Sequence, residues 1–139
     1  MHHIVIIHIN GVWVKLSAIE GIYMTPTNHF SQRMNQRGHT KAMIELALLC
    51  GELAGDKCIA NKKQTQKFID STDRRIKKLN ALKQKNSQLF DAHPFELELE
   101  ELQEQRRIAM KVLDKGGITI VFEADRLITA YNTNSFKRC

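Results

Sequence analysis

The chain has 139 residues, enough for one domain with a buried core but too few for two. Its hydrophobic content of 42% and charged content of 26% are those of a globular protein, which argues against a disordered tail or a fibrous repeat. A formal net charge of +6 favours an anionic partner (nucleic acid, an acidic protein or a membrane surface) without choosing among them.

In the N-terminal segment, "HIVIIHI" and "VWVKL" predict two β-branched strands, with Asn10–Gly11 in the position of a tight hairpin turn. The apolar run there is far shorter than the roughly 20 residues of a membrane helix. It is also short for a secretory signal, and no Lys or Arg precedes it. A competing reading takes Glu20–Gly21 as a translated ribosome-binding stretch and Met24 as the natural start. Residues 1–23 are then an upstream extension of a single domain spanning 24–139. His2, His3 and His8 do not have metal-ligand spacing.

Thr27 or Asn28 can cap a helix running through Arg37, with Gly38 just beyond its end. Phe30 and Met34 supply its apolar side. His29, Arg33 and Arg37 fall four residues apart and form one stripe along it. Thr40 can cap a second helix, "KAMIELALLCGEL", apolar nearly all round and therefore expected to be buried. "GDKCIAN" then predicts a short strand after a glycine-containing turn.

From Gln64 to Lys85 the pattern changes to a period of about 3.5 residues, with Thr65, Ile69, Thr72, Ile76, Leu79 and Lys83 falling alternately four and three apart. Phe95, Leu99, Leu102, Arg106, Ala109 and Leu113 repeat the pattern, which predicts an antiparallel helical hairpin inserted at 64–114. Residues 62–85 carry nine Lys and Arg against two Asp, while the second arm opens with Glu96, Glu98, Glu100, Glu101 and Glu104. The arms can therefore partly neutralise each other. Thr72, Lys83 and Arg106 weaken the seam, so the hairpin is expected to pack on something else as well. "ITIVFEADRLITAYN" predicts two final strands turning at Ala124–Asp125, with "KCIAN" as their sheet partner. The expected fold class is α+β, two helices packed on a small antiparallel sheet.

Cys50, Cys58 and Cys139 include no CxxC pair, so neither a disulfide framework nor a zinc site is expected, and a reducing cytoplasm fits best. Cys50, within an apolar helical run, reads as a small core residue. No cofactor-binding loop is evident.

The stretch "HFSQRMNQRG" resembles the His-x-x-x-Arg-x-x-x-Arg-Gly signature of a small bacterial and plasmid-borne domain family of uncharacterised function. "LITAY", residues 127–131, resembles the strand that closes that domain, so the resemblance covers residues 28–61 and 117–132. The family is grouped with the barnase–EndoU–colicin–RelE metal-independent ribonucleases, many of them toxins held by an antitoxin. The resemblance implies a RelE/barnase-like fold, RNA as substrate, and an acidic antitoxin or immunity protein as partner. His39 departs from the pattern, which usually has an aliphatic residue after the glycine.

Cleaving RNA without a metal needs a base for the 2′-hydroxyl, cations for the crowded phosphorane and an acid for the leaving oxygen. Histidine titrates near neutral pH, and arginine's planar fork can hold two phosphate oxygens. His29, Arg33 and Arg37 are thus the expected catalytic stripe. Tyr131 is a candidate second proton carrier, as are Lys62 and Lys63, which also read as substrate-binding with Thr129. Each has a plainer reading: a helix-start histidine, a solvated basic face, a packed tyrosine, a lysine-bearing turn. A non-catalytic nucleic-acid-binding module and an assembly component acting through the hairpin are the alternatives.

Overall fold

The computed structural model describes residues 5–9, 12–16, 21–85, 93–124 and 126–133. The Asn10–Gly11 turn, Asp125, the hairpin connection at 86–92 and Cys139 lie outside them. In chain order the elements are β1 (Val5–Ile9), β2 (Val12–Leu16), β3 (Gly21–Pro26), α1 (Asn28–Gln36), α2 (Lys41–Cys50), β4 (Glu52–Ala54), β5 (Lys57–Asn61), α3 (Lys62–Lys85), α4 (His93–Asp114), β6 (Gly117–Glu123) and β7 (Arg126–Asn132). The class is mixed α+β, with strand order β1-β2-β3-β7-β6-β5-β4.

β1 and β2 pair antiparallel, and β3, which the sequence pattern did not suggest, pairs with β2 and runs through Met24. β3 joins the remaining strands through a two-residue parallel contact, Thr25 with Arg126 and Pro26 with Leu127. From β7 through β6 and β5 to β4 every pairing is antiparallel, and "KCIAN" is the partner of β6 as expected. The second helix stops at Cys50 rather than at Leu53. Glu52–Ala54 instead pairs with β5 across the Gly55–Asp56 turn, with Gly55 at φ +62°. The exposed, short β4 has no apolar alternation of its own, so only its partner makes it a strand.

The core lies on one face of β5–β6–β7. Cys58, Ala60, Ile118, Ile120, Leu127 and Ala130 meet Phe30 of α1, the apolar faces of α2, and Ile69, Ile108, Ala109 and Val112 at the base of the hairpin. A one-residue bulge accounts for Leu127 and Ala130 sharing that face although they are three apart. Phe122 opposes Leu127 and Val121 opposes Thr129, which leaves Ile128 unmatched. Thr129 and Tyr131 consequently project to the opposite face, in register with Val121 and Thr119.

The helical hairpin keeps part of the expected seam: Thr65, Ile69, Thr72, Leu79, Leu99 and Ala109 are buried, while on α4 Ile108 and Val112, outside the expected spacing, are buried as well. It also packs on α2 through α4, as its weak seam positions required. Arg75–Glu98 (3.0 Å), Lys83–Glu96 (3.2 Å) and Arg106–Asp73 (2.6 Å) tie the arms together. Asn61 starts α3 by accepting the Gln64 N–H on Oδ1 (2.8 Å), while its carbonyl accepts the Thr65 hydroxyl (2.8 Å). At the other end Gly117, at φ +92°, leaves no room for a Cβ, which would stand 2.4 Å from the Ala60 carbonyl oxygen.

Candidate functional site

The first helix is fixed at both ends to the closing strand. Thr27 caps α1 by accepting the Phe30 N–H on its Oγ1 (3.1 Å), and the same hydroxyl donates to the Leu127 carbonyl (2.9 Å). The Thr27 N–H reaches that carbonyl too, at 3.0 Å. At the C-terminus the Gly38 N–H returns to Asn35 and the His39 N–H to Met34 (2.9 Å), with Gly38 at φ +67°. This is a Schellman ending, whose second residue beyond the cap normally packs inward against the last turn.

Here that inward residue is His39, only 3% exposed. Its Nε2 lies 2.8 Å from Asn132 Oδ1 on β7, while its Nδ1 is buried without a hydrogen-bond partner. With Oδ1 as acceptor, Nε2 carries the proton and Nδ1 presents a lone pair. Burial lowers the imidazole pKa, the Asn132 hydrogen bond opposes that shift, and the nearby Lys115 and Arg37 cations add to it. Lys115 also donates to the Arg37 carbonyl (3.1 Å), which meets one of the orphan acceptors at the end of α1.

The stripe runs from solvent inward. His29 is exposed in the first turn, and Arg33 is half-buried with one long contact to Gln36 (3.4 Å). Arg37 is half-buried and donates through Nη1 to the Ala130 carbonyl and, at 3.5 Å, to Thr129 Oγ1. The Ala130 carbonyl that Arg37 reaches lies just past the bulge in β7, two residues beyond Ile128. Of the expected site residues, then, Arg37 and Thr129 meet. Eight residues of helix put His29 about 12 Å from Arg37 along the axis, too far for both to grip one phosphate. His29 and Arg33, one turn apart, are close enough to do so.

The other expected residues lie elsewhere. Tyr131 is half-buried on the sheet face turned away from α1 and α2. Lys62 and Lys63 are exposed in the first turn of α3. A cleft of about 240 Å³ between α2 and α4, lined by Ala42, Glu45, Leu46, Leu49, Glu104, Gln105 and Ile108, contains none of them. Cys58 is fully buried, and Cys50 is partly buried with its thiol pushed up to about 11 by desolvation, so neither is poised as a nucleophile.

Sequence reasoning passed over His39, Asn132 and Lys115 as site residues. The available signal was the histidine at the inward position after Gly38, where an apolar side chain is the usual choice. Comparison with known proteins yields no match: no family model, no curated protein and no solved structure corresponds to this chain.

Proposed function

We propose that the protein acts on RNA through the outer end of the α1 stripe, with His29 and Arg33 engaging a backbone phosphate beside β7. The observation that carries this reading is where the acidic arm spends its charge. Glu96, Glu98 and Glu104 pair with Lys83, Arg75 and Arg107 of the hairpin itself, while His29 stays exposed. A stripe buried under the glutamates would have argued for a structural role. RNA, rather than another polyanion, comes from the resemblance of the His29–Gly38 signature and the closing strand. The same resemblance supports a RelE/barnase-like arrangement and an acidic antitoxin as the natural partner of the basic surface.

Arg37 has a different role. Its guanidinium holds α1 to β7 through Nη1, to the Ala130 carbonyl and Thr129, at the inner end of the stripe. Metal-independent cleavage is the second reading, favoured by an exposed histidine next to an arginine, with the 2′-hydroxyl as nucleophile and a 2′,3′-cyclic phosphate as product. The test is binding and cleavage of labelled RNA in EDTA by the native protein and by His29→Ala and Arg33→Ala. His29→Ala, at an exposed position, should keep native stability within about 0.5 kcal/mol, and Arg33→Ala, which loses one long polar contact at a half-buried position, within about 1 kcal/mol. Both should weaken binding, and His29→Ala should abolish any cleavage. Arg37→Met should instead lower stability by about 1–2 kcal/mol because its charged hydrogen bonds are removed. RNA bound but left intact by the native protein removes cleavage and leaves binding. Native binding that neither variant alters removes the site.

A further inference from the structure

The first arm of the hairpin carries more cations than the second arm neutralises. Of its nine Lys and Arg, Arg75 and Lys83 face the acidic arm and are paired. Lys63, Lys67, Arg74, Lys77, Lys78 and Lys85 are all exposed, and none has an ion-pair partner among the described residues. Their spacing is informative. Lys63, Lys67, Arg74, Lys78 and Lys85 are separated by four, seven, four and seven residues. At 100° per residue all five fall within an arc of about 60°, centred nearly opposite the buried seam. Lys77 flanks the arc. The row extends about 33 Å along the rod at 1.5 Å per residue.

What shares that arc limits the partner. Ser71, Ala81 and Asp70 lie within or beside it, Asp70 accepting from Gln66 at 3.0 Å, and no large apolar side chain falls inside it. A membrane-surface helix needs a continuous apolar face to insert, but beside this arc α3 exposes a single large apolar side chain, Leu82 at 36%, while Ile69 and Leu79 are buried in the hairpin seam. A protein partner of ordinary affinity needs aromatic or aliphatic anchors, and the arc offers none. A straight row of unpaired cations without anchors suits a polyphosphate backbone, bound through charge and counterion release. A shallow groove lined by Lys77, Asn80, Ala81, Lys83 and Gln84 continues the polar surface toward the distal end.

We infer that the outer face of α3 is a second nucleic-acid contact, tracking the backbone of an RNA remote from the α1 stripe. The choice of RNA rests on the reading proposed above; the phosphate-binding face does not. Fluorescence anisotropy with a 20-base-pair RNA duplex, titrated with salt, tests it on the full chain. Removing one cation from a phosphate should lower the slope of log K against log salt by about 0.9. Lys67→Gln/Arg74→Gln/Lys78→Gln should therefore flatten the slope by about 3, with helix content unchanged by circular dichroism. Lys67→Arg/Arg74→Lys/Lys78→Arg should restore it. Lys41→Gln/Arg107→Gln/Lys111→Gln removes the same charge from exposed positions off α3 and should change the slope by less than about 1.

Equal flattening by both neutral triples would reduce the effect to net charge and overturn the inference. So would an unchanged slope in the α3 triple, no RNA binding by the native protein, or tighter binding to duplex DNA or anionic vesicles. The outcomes also separate from those at α1. A flatter slope in the α3 triple with no effect of His29→Ala keeps this surface and removes the other; the reverse pattern removes this one.

Discussion

His39 shows how a single residue can couple the motif to the closing strand. Its ring enters the core because the Schellman ending aims the following residue inward, and Asn132 satisfies one of its two nitrogens. Neutral imidazole is tolerated there, whereas an imidazolium would sit buried beside Lys115 and Arg37. The folded-state pKa lies below the unfolded value near 6.5, so the unfolded chain takes up the proton first as pH falls. Stability is therefore complete above about pH 6.5 and declines as pH falls from there toward the lower folded-state pKa. Urea midpoints measured between pH 7.5 and 5 should show this decline, and His39→Gln should flatten it. A native profile as flat as the variant's would mean that the buried ring carries no such penalty. Arg37 teaches the complementary point. Periodicity placed it on the stripe of α1, but its partner is a backbone carbonyl 93 residues away, just past the bulge of β7.

At the scale of elements, the hairpin raises the question of whether charge or packing holds it together. Its three ion pairs between arms involve side chains some 36–51% exposed, so each contributes about 0–1 kcal/mol and is screened by salt. Leu79, only 2% exposed in the seam, is in a different class. Leu79→Ala should cost about 2–5 kcal/mol in a urea titration, and Glu96→Gln/Glu98→Gln about 1 kcal/mol or less. The opposite ranking would make the arms an electrostatic assembly. Heptad spacing made this element legible in the sequence, since its periodicity is local and repeated over many turns. The same holds for α1 and α2, whose Thr27 and Thr40 caps and Gly38 ending are local signals. β3 and β4 were not legible. Their strand character comes from β2, β7 and β5, and nothing in "ELA" alternates between apolar and polar. Nor could spacing show that His29 and Tyr131 lie apart, since that depends on which sheet face each strand residue takes.

For the whole molecule, the relation of the hairpin to the sheet decides what its removal can test. Asn61 and Gly117 are register partners, so α3 and α4 leave and rejoin the sheet at one point, as an insertion between adjacent strands would. A short turn from 63 to 115 could close that gap geometrically. The core argues otherwise: Ile69, Ile108, Ala109 and Val112 belong to the same cluster as Ile44, Leu48 and Ile120, with Val112 and Ala109 fully buried. Removing residues 64–114 would expose those partners on α2 and β6 to water, at about 25 cal/mol per Å² of apolar surface. The hairpin base is thus part of the domain, whereas its distal half packs only on itself. Replacing residues 77–101 by a short Gly-Ser turn should leave a cooperatively unfolding protein with its α1 site intact. The shortened chain loses Lys77, Lys78 and Lys85, so its RNA salt slope should fall by about 2–3. Replacing 64–114 should yield a chain without a cooperative transition. If the full deletion instead melts as sharply as the native protein, the hairpin is an appended module, and its α3 surface must act independently of the sheet.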